Sequence, residues 1–169
     1  MVITNKHKEV RAINIFAVDQ CPIVSGSVLP DKVTVKMVLE TAQMLSTAVR
    51  QHGYDGDDVY KTAHLNHPCS IWCRLNQDNF FWLYLHGIAL SDEYTKRYGK
   101  VHKSLAIIER CGELLGLLPV GELTPHPQCM PDEFKHTNTQ VAYKKYMASK
   151  SYFVGGFKKD VDHTEFYND

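Results

Sequence analysis

The sequence predicts a compact, single-domain, all-α fold with long loops and a short extended N-terminal arm. Apolar residues recur at spacings of three or four in four separate segments, which is typical of amphipathic helices. No segment shows the alternation of apolar and polar residues that half-buried strands produce. A chain of 169 residues also has the length of one ordinary domain.

The longest predicted helix runs from about residue 32 to residue 51. Asp31 is a suitable N-cap, and Gly53 follows the helix end. The apolar stripe consists of Val35, Val38, Ala42, Leu45 and Val49, and the polar stripe of Lys36, Glu40, Gln43, Thr47 and Arg50. The pattern predicts one buried face and one polar face, with Glu40 on the polar face.

A second long helix is predicted over residues 79–99, with Phe81, Tyr84, Leu85 and Ile88 on its core side. We expect the two long helices to pack through their apolar stripes, so that their polar stripes border a cleft. Its expected members are Glu40, His86 and Glu93. Shorter helices are predicted over about 105–115, before Gly116, and over 137–150.

The other segments are predicted to be irregular. Residues 12–18 read as a short strand or an extended arm, and residues 1–11 extend the chain before it. Residues 22–30 form a predicted loop between two prolines, and residues 119–131, which include four prolines, form a long ordered loop. The aromatic tail, 151–169, is expected to pack loosely on a helical core formed by residues 12–150.

The composition is that of an ordinary globular protein. Hydrophobic residues make up 44% and charged residues 22%, while Lys+Arg and Asp+Glu both number 19, which excludes a disordered chain and a bulk polycation. No apolar run is long enough to predict a membrane span, and the polar start MVITNKHKEV predicts no secretory signal. Five cysteines without a CxxC pair favour a reducing compartment. We therefore expect a cytoplasmic protein, in the host cytoplasm if the source is viral.

Positive charge is concentrated in the second half of the chain. Residues 94–159 contain 11 Lys or Arg against 5 Asp or Glu, and the stretch YTKRYGKVHKS at 94–104 contains no acid. Tyrosines are interleaved with these cations, a pattern that suits contact with phosphates and bases. The alternative is a set of solvated helix faces that aid solubility.

The segment HLNHPCSIWCR, residues 64–74, holds the densest group of unusual side chains. Because a residue before proline avoids helical geometry, we expect an irregular turn that presents His67, Trp72 and Arg74. The alternative is that Trp72 lies in the core and Arg74 forms a surface ion pair. His64, His67, Cys69 and Cys73 could also suggest a metal, but their spacing is not that of zinc knuckles, and His126-Pro-Gln-Cys129 adds little. We expect no metal and no cofactor.

Motifs for several enzyme classes are absent from the sequence. It contains no GxGxxG, P-loop, GxSxG, HExxH or HxE…PCxxC pattern. Their absence argues against a dinucleotide-binding protein, a Walker-type nucleotide-binding protein, an α/β-hydrolase, a zincin and a zinc deaminase. Glu40 and Lys36 remain, one helical turn apart. They are either an exposed ion pair or a buried carboxylate and amine suited to proton transfer.

Three stretches resemble the pyrimidine-dimer DNA glycosylases, the small all-α family typified by bacteriophage endonuclease V. Residues 13–18 are similar to that family's N-terminal arm, and residues 31–40 to its first helix, which carries the catalytic glutamate. The run Asn66-His67-Pro68 with Trp72, and the run from Glu93 to Gly99, resemble its later motifs. DKxxVKMxxETAQMLSTA, NHPCSxWxR and EYTxRYGKxHKS also look like an uncharacterised family common in phage genomes.

The resemblance implies a DNA partner, base flipping and a set of functional residues. Glu40 and His67 would be catalytic. That family uses a free α-amine as nucleophile, which the extension of residues 1–11 displaces here, so Lys36 is the nearest substitute; Val33 stands where relatives have histidine. The expected DNA contacts are Asn66, Trp72, Arg74, Asn79, Glu93, Arg97, Tyr98, Lys100, His102 and Lys103.

Three functions stay open at this stage. The first is a phage enzyme, similar to a DNA glycosylase, that acts on a flipped pyrimidine nucleotide and stacks it on Trp72 or Tyr98. The second is a transferase in phage DNA-base hypermodification that uses the same pocket. The third is a non-catalytic protein on the same scaffold that binds nucleic acid or a host factor.

Overall fold

A computed structural model describes residues 13–168 and confirms the all-α prediction. Six α-helices are present in this range: α1 (Pro22–Ser27), α2 (Asp31–Gln51), α3 (Pro68–Cys73), α4 (Gln77–Tyr98), α5 (Leu105–Glu113) and α6 (Thr139–Ala148). Short 3₁₀ turns lie at Leu115–Leu117, Asp132–Phe134 and Thr164–Asn168. Among residues 13–168, no helix has the length and apolar character needed to cross a bilayer.

The two long helices, α2 and α4, pack against each other and form the centre of the fold. The predicted core side of α4 is wrong: Phe81 is 45% exposed, and Tyr84, Leu85 and Ile88 are only half-buried. The buried face is instead that of Phe80, Leu83 and Leu90, because α1 and α2 pack on that side of the helix.

α4 begins two residues earlier than predicted because the Asn76 side chain accepts a hydrogen bond from the backbone N–H of Asn79. It ends at Gly99, which adopts a left-handed conformation with φ of 70°. A β-carbon on Gly87 would lie 2.7 Å from the Thr41 side chain, so the absence of a side chain there allows close contact between the helices.

Residues 22–30 are not the loop that the sequence predicts, because Pro22–Ser27 form the short helix α1. Proline is favourable in the first turn of a helix, where its missing N–H is not needed. α1 lies against α4 at Gly26, where a β-carbon would come within 2.7 Å of Ala89. Tertiary packing therefore stabilises six residues that have little helical propensity of their own.

The predicted arm is buried and forms no strand within its described part, residues 13–18. Ile15, Ala17 and Val18 have no exposed surface. Phe16 has a positive φ of 56°, which is uncommon for a bulky residue and positions its ring inside the core. The predicted extension, residues 1–11, and residue 12 lie outside the described residues.

The aromatic tail does not pack loosely, contrary to the prediction. Phe153, Phe157 and Tyr167 are buried members of the main core. The Tyr167 hydroxyl donates a hydrogen bond to the Val28 carbonyl at 2.7 Å. The tail thus covers the connection between α1 and α2.

Arg97, near the end of α4, is the most densely bonded cation among the described residues. Its side chain has no exposed surface, and Nη1 donates to the Leu29 carbonyl at 2.7 Å and to Thr34 Oγ1 at 2.9 Å. Three carboxylates surround the guanidinium, those of Asp31 at 3.3 Å, Glu93 at 3.1 Å and Asp160 at 3.2 Å. One side chain therefore joins α4, the start of α2 and the tail.

Arg97→Ala should lower the free energy of unfolding by about 3–5 kcal/mol, because it leaves buried carboxylates without their cation. Urea unfolding followed by circular dichroism measures this. Lys100→Ala, which removes an exposed cation three residues later, is the control and should change stability by less than about 0.5 kcal/mol. Equal stability of the two variants would contradict a structural role for Arg97.

Candidate active site

Lys36 and Glu40 form a largely buried pair on the second and third turns of α2. Lys36 Nζ lies 4.0 Å from Glu40 Oε2, and the side chains are only 23% and 14% exposed. Among the described residues, Glu40 Oε2 has no hydrogen-bond partner. The pair is therefore neither a solvated surface ion pair nor a fully compensated buried one.

Burial shifts the pKa of both groups toward neutrality. It raises the pKa of the Glu40 carboxyl to about 7, although the positive charge of Lys36 acts in the opposite direction. Burial also lowers the pKa of the Lys36 amine below its usual value. The negative charge of Glu40 opposes this shift, and the positive charge of Lys150 adds to it. A carboxyl that can gain or lose a proton near pH 7 thus stands beside an amine that loses its proton more easily than usual.

Two further residues complete the surroundings of this pair. Lys150, just after α6, is buried, and its Nζ donates a hydrogen bond to the Tyr146 hydroxyl at 2.7 Å. The Phe16 ring of the arm lies 5.6 Å from Lys36 Nζ. The sequence gives no sign of these contacts, because residues 16, 36 and 150 are far apart along the chain.

The amine of Lys36 borders a cavity of about 180 Å³, together with Lys32, Val33 and Tyr152. Lys32 and Tyr152 also line a second cavity of about 360 Å³ that reaches Lys158. The two cavities therefore adjoin. Their lining combines three lysines with one aromatic ring and has a single carboxylate, Asp31.

The predicted basic strip lies beside the same helix. His102 forms a hydrogen bond with the backbone of Val35, the residue before Lys36. Lys100 and Lys103, on either side of His102, are exposed. Tyr98 is half-buried and stacks on Tyr94, with ring centroids 5.1 Å apart.

Residues 68–73 form helix α3 rather than the expected irregular turn. The residue before proline does avoid helical geometry, but here it is the N-cap: His67 Nδ1 accepts a hydrogen bond from the Cys69 N–H at 3.1 Å. Asn66, just before it, is exposed. The preference of a pre-proline residue for extended geometry correctly predicts that His67 is not helical, but it does not reveal that a helix starts at Pro68.

Three residues of this region that were predicted to contact DNA instead form hydrogen bonds within the fold. Trp72 is buried, donates from Nε1 to the Thr124 carbonyl, and packs against His126 with ring centroids 4.2 Å apart. Asn79 is buried and bonds both Trp72 and Thr124. Arg74 donates to the Leu65 carbonyl at 2.6 Å. Trp72 therefore cannot stack a flipped base in this conformation, and Asn79 is equally inaccessible.

The predicted cleft containing Glu40, His86 and Glu93 is also wrong. His86 is fully buried, lies 3.1 Å from Ser25 Oγ, and has a pKa that burial, followed by the charge of His126, lowers to about 3. Glu93 is bound to Arg97. The burial of Arg97 likewise removes it from the predicted phosphate contacts. His86 and Glu93 are seven residues apart and share one face of α4, but α1 packs on this helix and Asp160 of the tail binds Arg97 at its end.

His67 also belongs to a group that the sequence analysis did not assemble. Single ligand atoms of His67, Cys69 and Cys129 all lie within 4.8 Å of one another. The signal was available, since both His67 and His126 begin a His-Pro run that soon reaches a cysteine. Only the tertiary structure brings the second run against the first.

Another cavity, of about 380 Å³, lies between Trp82, His126 and the start of α6. His126 is buried, and its Nε2 has no hydrogen-bond partner among residues 13–168. None of the predicted catalytic residues borders this cavity.

Comparisons with protein-family models, with curated proteins and with solved structures found no significant match.

Glu40→Gln should change the pH dependence of stability. A carboxyl whose pKa is raised by folding binds its proton more tightly in the folded state, so its contribution is favourable below about pH 4.5 and is lost as pH rises through about 7. The stability of Glu40→Gln relative to wild type should therefore be about 2 kcal/mol greater at pH 8 than at pH 5.

Urea unfolding at the two pH values measures this difference. Glu109→Gln, which alters an exposed glutamate of α5, is the matched control and should show no such change. A stability difference for Glu40→Gln that is the same at pH 5 and pH 8 would mean that Glu40 titrates as an ordinary surface carboxyl.

Proposed function

We propose that this protein is a DNA-acting enzyme, similar to a DNA glycosylase, that uses Lys36 and Glu40 on a flipped pyrimidine nucleotide. The observation that carries the proposal is the buried amine–carboxyl pair at the edge of a basic, partly aromatic pocket. The resemblance of residues 13–18 and 31–40 to the pyrimidine-dimer glycosylases supplies the substrate class. The contact between Phe16 and Lys36 supports it, because it joins the arm and the helix that both resemble parts of that family.

Lys36 has the two features that turn a lysine into a nucleophile. It is withdrawn from water, and a second cation, Lys150, disfavours its charged form. The neutral amine would attack C1′ of the sugar, and the electron pair of the breaking glycosidic bond would leave with the base. The departing base takes up the proton that the newly attached amine loses. Opening of the sugar ring then gives a Schiff base between Lys36 and C1′.

Glu40 would transfer the proton that ring opening requires. In its protonated form it can donate to the sugar ring oxygen, and as a carboxylate it can stabilise the cationic centre that develops at C1′. A pKa of about 7 makes both forms available at neutral pH. His67, the third predicted catalytic residue, caps α3, and nothing in the geometry links it to this pair.

The adjoining cavities beside Lys36 suit a nucleotide. Lys32 and Lys158 offer positive charge to phosphates, and the Tyr152 ring offers a stacking surface for the base. Tyr152 therefore takes the stacking role that the sequence analysis gave to Trp72. Lys100 and Lys103 are exposed and are proposed to add further phosphate contacts.

Borohydride trapping tests the nucleophile directly. Purified protein incubated with duplexes that carry a pyrimidine dimer, an abasic site or a hypermodified pyrimidine should form a covalent adduct, because borohydride reduces a Schiff base to a stable amine. Peptide mass spectrometry should locate the adduct on Lys36. Lys36→Ala should abolish it, whereas Lys61→Ala, which removes an exposed lysine that does not line the pocket, should retain it. Glu40→Gln should bind the same duplex and react at least about 100-fold more slowly.

Each other result contradicts the proposal in a distinct way. An adduct that persists in Lys36→Ala would assign another amine. A product in which the base is enlarged rather than released would indicate the transferase. Binding without any reaction on all three duplexes, with unchanged behaviour of Glu40→Gln, would indicate the non-catalytic protein.

DNA binding should depend on salt through the exposed cations rather than through Arg97. Each neutralised phosphate contributes about −0.9 to the slope of log K against log salt, so Lys100→Ala/Lys103→Ala should reduce the magnitude of the slope by about 1.8. Fluorescence anisotropy at several salt concentrations measures it. Lys145→Ala, an exposed lysine of α6, serves as the control. An unchanged slope in the double variant would exclude these two lysines as phosphate contacts.

A further inference from the structure

Two cysteines and a histidine meet where the start of α3 touches the proline-rich loop, residues 119–131. Cys69 Sγ and Cys129 Sγ lie 3.6 Å apart, although the two residues are separated by 60 positions in the chain. His67 stands beside them, with one ring nitrogen within 4.8 Å of both sulfurs. We propose that His67, Cys69 and Cys129 bind one Zn²⁺ ion and leave its fourth coordination position open.

The separations agree with those of a tetrahedral zinc site. With Zn–S bonds of about 2.3 Å, two thiolates on a tetrahedron are about 3.8 Å apart, close to the observed sulfur separation. A zinc-bound imidazole nitrogen would lie about 3.6 Å from each sulfur, so His67 must approach by about 1 Å at most. A side-chain rotation can supply that movement because His67 is only half-buried.

The backbone around both sulfurs is already held in place. The Cys129 carbonyl accepts a hydrogen bond from Asn14 Nδ2 at 2.8 Å, and the Cys129 N–H donates to the Tyr143 hydroxyl at 3.3 Å. The Cys69 thiol donates a hydrogen bond to Asn14 Oδ1 at 3.9 Å, and the Ile15 N–H donates to the same oxygen at 2.8 Å. Such bonds from outside the ligand set orient metal ligands. The arm and α6 therefore support the group without contributing ligands.

Donor chemistry favours zinc over the hard cations. Thiolate and imidazole are ligands for zinc and for softer metals, whereas Mg²⁺ and Ca²⁺ prefer oxygen. Zinc binding would cost the N-cap hydrogen bond in which His67 Nδ1 accepts from the Cys69 N–H. If Nδ1 binds the metal, its lone pair is no longer available, and if Nε2 binds the metal, Nδ1 carries the proton. Three protein ligands with a half-buried histidine at the edge leave room for a water molecule or another small ligand.

A Cys69–Cys129 disulfide is the rival interpretation of the same two sulfurs. It would require them to approach from 3.6 Å to about 2.05 Å and would give no role to His67. The zinc site explains all three side chains. It also extends beyond the proposed function, since it does not involve Lys36 or Glu40.

The test is metal content and cobalt spectroscopy on the full chain, prepared under reductant. We expect about one zinc per chain, and after exchange we expect Co²⁺ to give the intense thiolate charge-transfer and visible bands of a tetrahedral site. Cys69→Ser and Cys129→Ser should each weaken metal binding more than about 100-fold. Even the loss of a residue that only hydrogen-bonds to a metal ligand lowers metal affinity by about 10–100-fold. His67→Asn keeps an N-cap acceptor and removes the imidazole, and it should weaken binding similarly.

Cys21→Ser, which removes an exposed cysteine, is the control and should bind like wild type. Circular dichroism of each variant with excess chelator establishes that the chain is folded, and the wild-type cobalt spectrum tests the site even if one variant does not fold. The proposal fails if folded wild type binds no stoichiometric zinc, if Co²⁺ shows no thiolate bands, or if folded Cys129→Ser binds like wild type. A Cys69–Cys129 disulfide that persists under reductant would equally overturn it.

Discussion

The buried guanidinium of Arg97 is the interaction on which the arrangement of the fold most depends. A buried cation requires compensating charge, and Arg97 obtains it from the start of α2, from its own helix and from the tail. These bonds hold the N-terminal half of α2 against the end of α4. Since Lys32 and Lys36 project from that half of α2, the same bonds determine where the candidate pocket lies.

The candidate site arises because α2 is buried more completely than its pattern suggests. An amphipathic helix in a small protein usually turns its polar stripe to water, and there Lys36 and Glu40 would be an ordinary ion pair of little consequence. Here the arm and the region after α6 cover part of that stripe. Partial burial disfavours both charges without removing access to the pocket, and this is the condition under which an amine and a carboxyl become reactive near neutral pH.

The proline-rich loop, residues 119–131, is held by polar contacts with distant parts of the chain. Thr124 is bonded by Trp72 and Asn79, and the Cys129 carbonyl by Asn14. These bonds explain why side chains that look functional in the sequence are inaccessible: Trp72 and Asn79 position the loop. The same contacts bring Cys129 to Cys69, so the loop supplies one possible metal ligand that no local pattern contains.

Local patterns in the sequence determined the helical class, the two long helices and the prominence of Glu40 and Lys36, but not which face of α4 is buried. Spacings of three and four residues report which face of a helix is apolar, and Gly99 and Asn76 act through bonds within a few residues. Only the tertiary structure decided which polar side chains are buried. The sequence predicted that Arg97, Trp72 and Asn79 are exposed functional groups. They are buried because segments far away in the chain, such as the tail and the loop at 119–131, cover them. For the same reason, no periodicity in the sequence connects Lys36 to Phe16 and Lys150, which lie beside it in the structure.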